Sequence, residues 1–180
     1  MPVVVDLGGN NLVVNATVTN NAGIQATGSG NLYVTGTTQN AGSGVWFLNN
    51  TGTTVLSKTA PVASVPSTSL IVVSGTLKTD FFDGQIVGSN LVLLSGSTLN
   101  LNGFNQQVGN VTMGSSITSG SGNAGVAINT NGGVLTLGGN VLVNPGLQST
   151  ISGTVLLTGN RTINVAQGDN NSLGDLSMPA

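Results

Sequence analysis

The sequence predicts an all-β protein folded as a parallel β-solenoid, in which short strands stack coil upon coil. Apolar residues alternate with Thr, Asn or Ser over short runs, which is typical of strands with one buried face. Gly and Asn end each run, and the pattern returns after about 20 to 25 residues, a period typical of repeat folds. Gly, Asn, Thr and Val are poor helix formers, so a stack of helices is excluded.

The clearest example of this alternation lies within residues 96–118. Asn100 separates Leu99 from Leu101, and Asn102-Gly103 then supplies a turn dipeptide. Because successive side chains of a strand point to opposite faces, we expect both leucines inside and Asn100 outside. The same reasoning predicts these inward pairs: Leu99/Leu101, Leu135/Leu137, Val141/Val143, Val155/Leu157 and Ile163/Val165.

A Gly-Asn element before an apolar run sets the predicted length of a coil. Asn11 and Asn31 are 20 residues apart, and so are Asn140 and Asn160. A coil of this length holds two or three short strands. A β-propeller blade needs about four strands in some 40 residues, often with aromatic marks, and aromatic residues are only 3% of this chain. The solenoid is therefore favoured over the propeller.

The chain length of 180 residues predicts a single solenoid segment spanning 1–180. One stretch, residues 58–69, interrupts the pattern, because it carries Lys58 and two prolines, Pro61 and Pro66. Proline removes a donor from a β-ladder and is confined to strand edges and bulges. We therefore predict that residues 58–69 form a loop that leaves the solenoid.

The composition excludes several classes of function. Charged residues are only 4% of the chain and the net charge is -2 with three cations, so a nucleic-acid interface, which needs a basic surface, is not expected. The chain has no Cys, which excludes disulfides and thiolate metal sites. No apolar run reaches the length of a transmembrane helix, so the chain is not expected to span a membrane by itself.

The close acidic pair Asp80 and Asp83 is the one candidate for catalysis. Two carboxylates about 5 to 10 Å apart perform glycoside hydrolysis. The alternative is a turn at Asp83-Gly84, with Lys78 placed to neutralise Asp80. We prefer the turn, and we predict no enzymatic activity and no cofactor. A metal site is not predicted either, because the Gly-Asp pairs near the C-terminus lack the Gly-Gly-x-Gly-x-Asp pattern of calcium-binding repeats.

Aromatic side chains give a second set of candidates, for binding rather than catalysis. If Val45 and Phe47 face inward, Trp46 faces outward, where its ring can stack on a sugar. We prefer the alternative, in which the Trp46 ring covers a coil edge or the predicted 58–69 loop. Tyr33 is a further candidate for glycan contact.

Four segments resemble the passenger repeats of bacterial autotransporters, the autotransporter-associated β-strand repeat family: residues 6–17, 95–109, 133–140 and 151–157. The resemblance implies a right-handed parallel β-helix that belongs to a longer exported protein, at the cell surface or outside the cell. It also implies a structural or adhesive role, with surface glycans or host cell-surface components as partners.

The expected function is therefore a non-catalytic structural or adhesive segment of an exported, autotransporter-like bacterial protein. The alternatives are a polysaccharide-active β-helix enzyme that uses Asp80 and Asp83, and a glycan-binding module that uses Trp46 and Tyr33. Apolar residues also lie close to both ends of the chain, for example Val3 and Leu176, without polar caps. Open solenoid ends pair with other chains, so self-association is expected.

Overall fold

The computed structural model describes residues 1–66, 69–94, 96–114, 124–145, 148–166 and 176–179. Within these residues every regular element is a strand and no helix is present. The strands pair in parallel and stack as a β-solenoid of about seven turns, which confirms the predicted fold class. The strands are β1 (Val3–Asp6), β2 (Leu12–Val14), β3 (Ile24–Gly28), β4 (Leu32–Val34), β5 (Trp46–Asn50), β6 (Thr53–Leu56), β7 (Ser69–Val72), β8 (Thr76–Thr79), β9 (Val87–Leu93), β10 (Thr98–Asn100), β11 (Gln106–Met113), β12 (Ala127–Leu137), β13 (Val141–Val143), β14 (Ser149–Leu157), β15 (Ile163–Val165) and β16 (Leu176–Ser177).

Each coil contributes to three faces of the solenoid. Face 1 contains β1, β3, β5, β7, the second halves of β9 and β11, and then β13 and β15. Face 2 contains β2, β4, β6, β8, β10, the first halves of β12 and β14, and β16. Face 3 begins with two isolated bridges, Thr19 to Ala41 and Val65 to Ile86. It continues in the first halves of β9 and β11 and the second halves of β12 and β14.

The core is a set of apolar columns that run along the solenoid axis. On face 1, Leu48, Val72 and Leu93 occupy successive coils in register, and each is at most 1% exposed. Such in-register burial removes apolar surface from water in every coil, which is the main stabilising term for the stack. The predicted inward positions Leu99/Leu101, Leu135/Leu137 and Val141/Val143 are all buried, as expected.

The last two predicted inward pairs have a different environment. Ile163 and Val165 pair in register with Val141 and Val143, so they continue the inward columns. They are nevertheless 39% and 41% exposed, and Leu157 is 46% exposed. The register prediction is therefore correct there, but no described residue covers these side chains from the next coil.

The predicted coil length is confirmed by the register of face 1. Val3 pairs with Ile24 and Ile24 with Trp46, which are steps of 21 and 22 residues. The step from Val111 to Val141 is 30 residues, because this coil also contains residues 115–123. The strands before and after these residues keep their register with the neighbouring coils.

Residues 58–66 remain in the stack, which corrects the predicted loop at 58–69. Val65 forms the bridge to Ile86, the Ser64 N–H donates to the Gln85 carbonyl over 2.9 Å, and the Ala63 carbonyl accepts from the N–H of Asn40. In these coils face 3 is held by single bridges rather than full strands. Prolines on either side of the bridge therefore remove no ladder hydrogen bond. Ser69, the last residue of the predicted loop, is the first residue of β7, and residues 67–68 lie outside the described residues.

Candidate functional site

The two candidate carboxylates lie at the corner between faces 2 and 3, where each binds an asparagine of the next coil. The Asp83 oxygens accept hydrogen bonds from the N–H and the Nδ2 of Asn105, over 2.7 and 2.9 Å. Asp80 Oδ1 accepts from Nδ2 of Asn102 over 3.2 Å. Both carboxylates therefore serve as acceptors that join one coil to the next.

The surroundings of the pair support the turn interpretation. Gly84 has a φ of +70°, a left-handed conformation that suits the predicted Asp83-Gly84 turn. Asn105 in turn accepts at Oδ1 from the N–H of Val134 over 2.9 Å, so Asp83 starts a hydrogen-bonded column along this corner. Among the described residues, Lys78 forms no ion pair with Asp80.

Trp46 faces the interior, which corrects the prediction that it faces outward. Its side chain is 2% exposed and continues the inward column between Ile24 and Leu70. Phe47 is the outward residue and Val45 is 38% exposed, so the predicted register of this strand was wrong by one residue. A ring on the inside of face 1 cannot stack on a sugar at the outer surface.

Tyr33 lies on the outer side of face 2, half-buried between Val13 and Val55 of the neighbouring coils. Trp46 lies inside face 1, so the structure does not bring the two predicted aromatic residues together. A site formed jointly by these two rings is therefore not present.

The Trp46 ring instead borders an apolar cavity at the first coil. The cavity has a volume of about 430 Å³, and its lining includes Val3, Val5, Val14 and Ile24. Val3 is 59% exposed because no described residue covers this end of the apolar columns. The cavity is the interior of the solenoid seen from its open end.

A column of buried polar side chains lies on face 3, and alternation alone did not predict it. Asn40 Nδ2 donates to the Ser64 carbonyl over 2.8 Å, and Ser64 Oγ donates to Oε1 of Gln85 over 2.5 Å. Gln106 is a further buried polar residue of this face, 2% exposed and in line with Ile86, whose N–H its Oε1 accepts over 2.9 Å. Its Nε2 finds no partner among the described residues. The next coil places Leu135 opposite Gln106.

Lys58 is buried beside this column without a carboxylate partner. Its side chain is 0% exposed, and Nζ donates to the Ala16 carbonyl over 3.2 Å. Burial lowers the pKa of Lys58, because removal from water disfavours the ammonium form. A charged group in this environment destabilises the fold relative to an apolar side chain of similar volume.

We expect Lys58→Met to raise the free energy of unfolding by about 1 kcal/mol near neutral pH, since methionine fills the space without desolvating a charge. The gain should shrink as the pH rises. Between the lowered pKa of Lys58 and the ordinary lysine value near 10.4, the unfolded chain binds the extra proton, so wild-type stability increases with pH. Urea melts from pH 7 to 11 measure both effects. The outward, half-buried Lys78 gives the control, and Lys78→Met should change stability by less than about 0.5 kcal/mol. A Lys58→Met variant less stable than wild type at pH 7 would contradict this account of the burial.

A third hydrogen-bonded column lies at the corner between faces 3 and 1. Asn90 Oδ1 accepts from the N–H of Asn110 over 3.0 Å, and Asn110 Oδ1 accepts from the N–H of Asn140 over 2.9 Å. Asn140 Oδ1 then accepts from the N–H of Thr162 over 3.0 Å. All of these side chains are exposed, and a shallow groove of about 430 Å³ follows the upper part of the column.

The described residues contain no cluster of three or more His, Cys, Asp or Glu side chains that could hold a metal ion. The Gly-Asp pairs at 168–169 and 174–175 lie outside the described part of the chain. None of the described segments forms a helix long and apolar enough to span a membrane.

Comparison of the chain with protein-family models, with curated proteins and with solved structures finds no match. The resemblance to autotransporter passenger repeats therefore rests on the repeat residues themselves.

Proposed function

We propose that this chain is a non-catalytic structural or adhesive segment of an autotransporter-like bacterial protein, which holds other parts of that protein at the cell surface or outside the cell. The observation that carries the proposal is that polar side chains at the corners form hydrogen bonds between neighbouring coils. Asp83, Asn90, Asn110 and Asn140 each join one coil to the next through a side-chain oxygen. Side chains used in this way reinforce the rod, and the two candidate catalytic carboxylates belong to the same system.

A rod of stacked coils separates its ends by a distance that depends only on the number of coils. Parallel strands lie about 4.8 Å apart, so about seven turns span roughly 34 Å. Each coil contacts only its neighbours, and the stability of such a stack is approximately a sum over coils and interfaces. A spacer of this type can change its length by whole coils and still fold.

Deletion of residues 70–90 tests the spacer role and removes Asp80 and Asp83 at the same time. Leu70 is in register with Leu91 and Val72 with Leu93, so the deletion brings Leu91 into the place of Leu70. We expect a folded chain that is one coil shorter. The chain has no native Cys, so donor and acceptor dyes can be attached through Ala16→Cys and Asn164→Cys, both exposed positions. Energy transfer should report a dye separation shorter by about 5 Å.

Deletion of residues 70–89 is the matched control. It places Asn90, rather than Leu91, in the inward position of Leu70 and turns Leu91 to the outside, which should abolish cooperative unfolding. The spacer proposal fails if the 70–90 deletion unfolds, or if its dye separation does not shorten. If the native chain depolymerises a polysaccharide and the folded 70–90 deletion does not, the enzyme alternative is supported instead.

The exposed ends of the stack support the proposed self-association. At one end the inward residues Val3 and Leu12 are 59% and 37% exposed, and at the other Ile163 and Val165 are 39% and 41% exposed. Unpaired parallel edges next to apolar side chains are sites for pairing with further strands. In the proposed function these ends join coils of the same long protein or of another copy.

A further inference from the structure

The exposed asparagine column at the corner between faces 3 and 1 has an unused set of donors. Each of Asn90, Asn110 and Asn140 is anchored by its Oδ1, which accepts a backbone N–H of the following coil. An amide anchored by its oxygen leaves two N–H donors on Nδ2. In the described part of the chain these three Nδ2 groups make no hydrogen bond, and all three residues are exposed.

The anchoring also fixes the direction of the donors. The three asparagines belong to successive coils, so their Nδ2 groups recur at the strand spacing of about 4.8 Å. A side chain held in one rotamer before binding loses little further conformational freedom when a ligand arrives. The corner therefore presents a regular, preorganised column of amide donors parallel to the solenoid axis.

A groove lies directly beside the upper part of this column, and its lining is uncharged, with both polar and apolar side chains. Leu142 is 38% exposed and gives the groove an apolar ridge. Hydroxyl and amide groups surround the ridge, from the residues Asn110, Thr112, Asn140, Thr162 and Asn164. A ligand that fits must combine hydrogen-bonding groups with apolar C–H surface and carry no charge. A pyranose sugar has both kinds of surface.

We propose that this amide groove, formed by Asn110, Thr112, Asn140, Leu142, Thr162 and Asn164, binds an uncharged, extended polysaccharide that lies along the solenoid axis, and that Asn90 extends its donor column by one coil. The repeat of the donors is close to the length of one sugar unit in an extended β-1,4-linked chain, so successive hydroxyls meet successive Nδ2 groups. Polyanions are disfavoured, because no cation lines the groove. The proposal deepens the adhesive part of the proposed function and rests on it.

Titration of the full chain with cellohexaose, followed by amide chemical shifts and calorimetry, tests the proposal. The decisive variant is the double substitution Asn110→Asp with Asn140→Asp. A carboxylate oxygen still accepts the N–H groups of Asn140 and Thr162, so the corner keeps its bonds while the Nδ2 donors disappear. We expect saturable binding to the native chain, with shifts centred on the groove, and at least about tenfold weaker binding to the double variant.

The control is the double substitution Asn49→Asp with Asn129→Asp, which introduces the same two charges elsewhere. Both residues use Oδ1 as an acceptor, from Ser74 and Ser152, and neither lines the groove. This control should bind cellohexaose as the native chain does. The proposal is overturned if the native chain does not bind cellohexaose, if the groove variant binds equally well, or if a sulfated oligosaccharide binds more tightly. None of these outcomes changes the dye separations of the coil deletion, so failure of the groove and failure of the spacer are distinguishable.

Discussion

Substitution of Leu101 by Asp is expected to lower the free energy of unfolding by several kcal/mol and to leave little folded protein at room temperature. Leu101 is 0% exposed. It lies between two buried threonines of the same inward column, Thr79 and Thr130, whose hydroxyls already bond the backbone of neighbouring coils. The Thr79 hydroxyl already donates to the Leu101 carbonyl, so at most the Thr130 hydroxyl remains to donate to a carboxylate. An isolated buried charge costs several kcal/mol, or forces the carboxyl to take up a proton. Thermal and urea melts measure the loss.

Asn100→Asp is the matched control, one residue earlier and on the outer side. Asn100 Oδ1 accepts from the N–H of Asn102 and from Nδ2 of Asn131, both over 2.8 Å. A carboxylate oxygen accepts both bonds equally well, so the change in stability should stay within about 0.5 kcal/mol. If the melts ranked the two variants in the opposite order, the register of this strand would be wrong by one residue.

The second large effect is expected from Gly30→Ala, at the corner between faces 1 and 2. A Cβ on Gly30 would lie 1.8 Å from the carbonyl oxygen of Asn10 in the coil below. The obstacle is backbone, which cannot turn aside as a flexible side chain can. The Gly30 N–H also bonds the Gly8 carbonyl over 2.9 Å, so the two coils cannot separate without losing that bond. We expect a loss of about 3 kcal/mol, seen as a lower urea midpoint.

Gly9→Ala tests the same corner one coil earlier, where space is available. Its Cβ would meet nothing nearer than Ser29 Oγ at 3.7 Å, and its φ is not in the left-handed region. Alanine there reduces the freedom of the unfolded chain, so stability should be unchanged or higher by up to about 1 kcal/mol. Equal losses in both variants would show that the corner responds to general perturbation rather than to close approach of two backbones.

The fold was predictable wherever the inward residues are aliphatic and the outward ones polar. Residues 99–101, 135–137 and 141–143 meet that condition, and their orientation is as predicted. Strand β3 was not predicted, because its sequence Ile-Gln-Ala-Thr-Gly offers only Ala26 as its fully buried side chain. The start of β11 at Gln106 was not predicted for a related reason. Alternation assigns a polar residue such as glutamine to the outer face, but Gln106 is buried. In both cases stacking against neighbouring coils decides the conformation, and a single coil does not contain that information.

The error at Trp46 has a different physical origin. Residues 45–48 are all apolar, so alternation cannot distinguish one face from the other. The neighbouring coils decide the register, because Ile24 below and Leu70 above form an inward column that the ring of Trp46 completes.

The candidate carboxylates could be placed in a turn from Asp83-Gly84 alone. Their bonds to the next coil could not be predicted, because those partners lie 22 residues away.

The Gly-Asn element that suggested the repeat belongs to two different corners. Asn11 and Asn31 precede face 2, where Nδ2 of Asn31 donates to Oδ1 of Asn11 over 2.9 Å. Asn90 and Asn140 precede face 1. The spacing of 59 residues between Asn31 and Asn90 is therefore not a multiple of one coil. At the face 2 corner Asn31 Oδ1 also accepts from the N–H of Thr53 over 2.7 Å, so a side-chain oxygen accepts a backbone N–H of the next coil at both corners.

The hydrogen bonds of the exposed asparagine column join residues only 20 to 30 positions apart. The chain segment that must close to add a coil therefore has the same length at the seventh coil as at the second. Loop-closure entropy depends on that length and not on the size of the protein already folded. A stack of this kind can grow to many times its present height with no increase in the entropic barrier per coil, and each finished coil is the template for the next as the chain emerges.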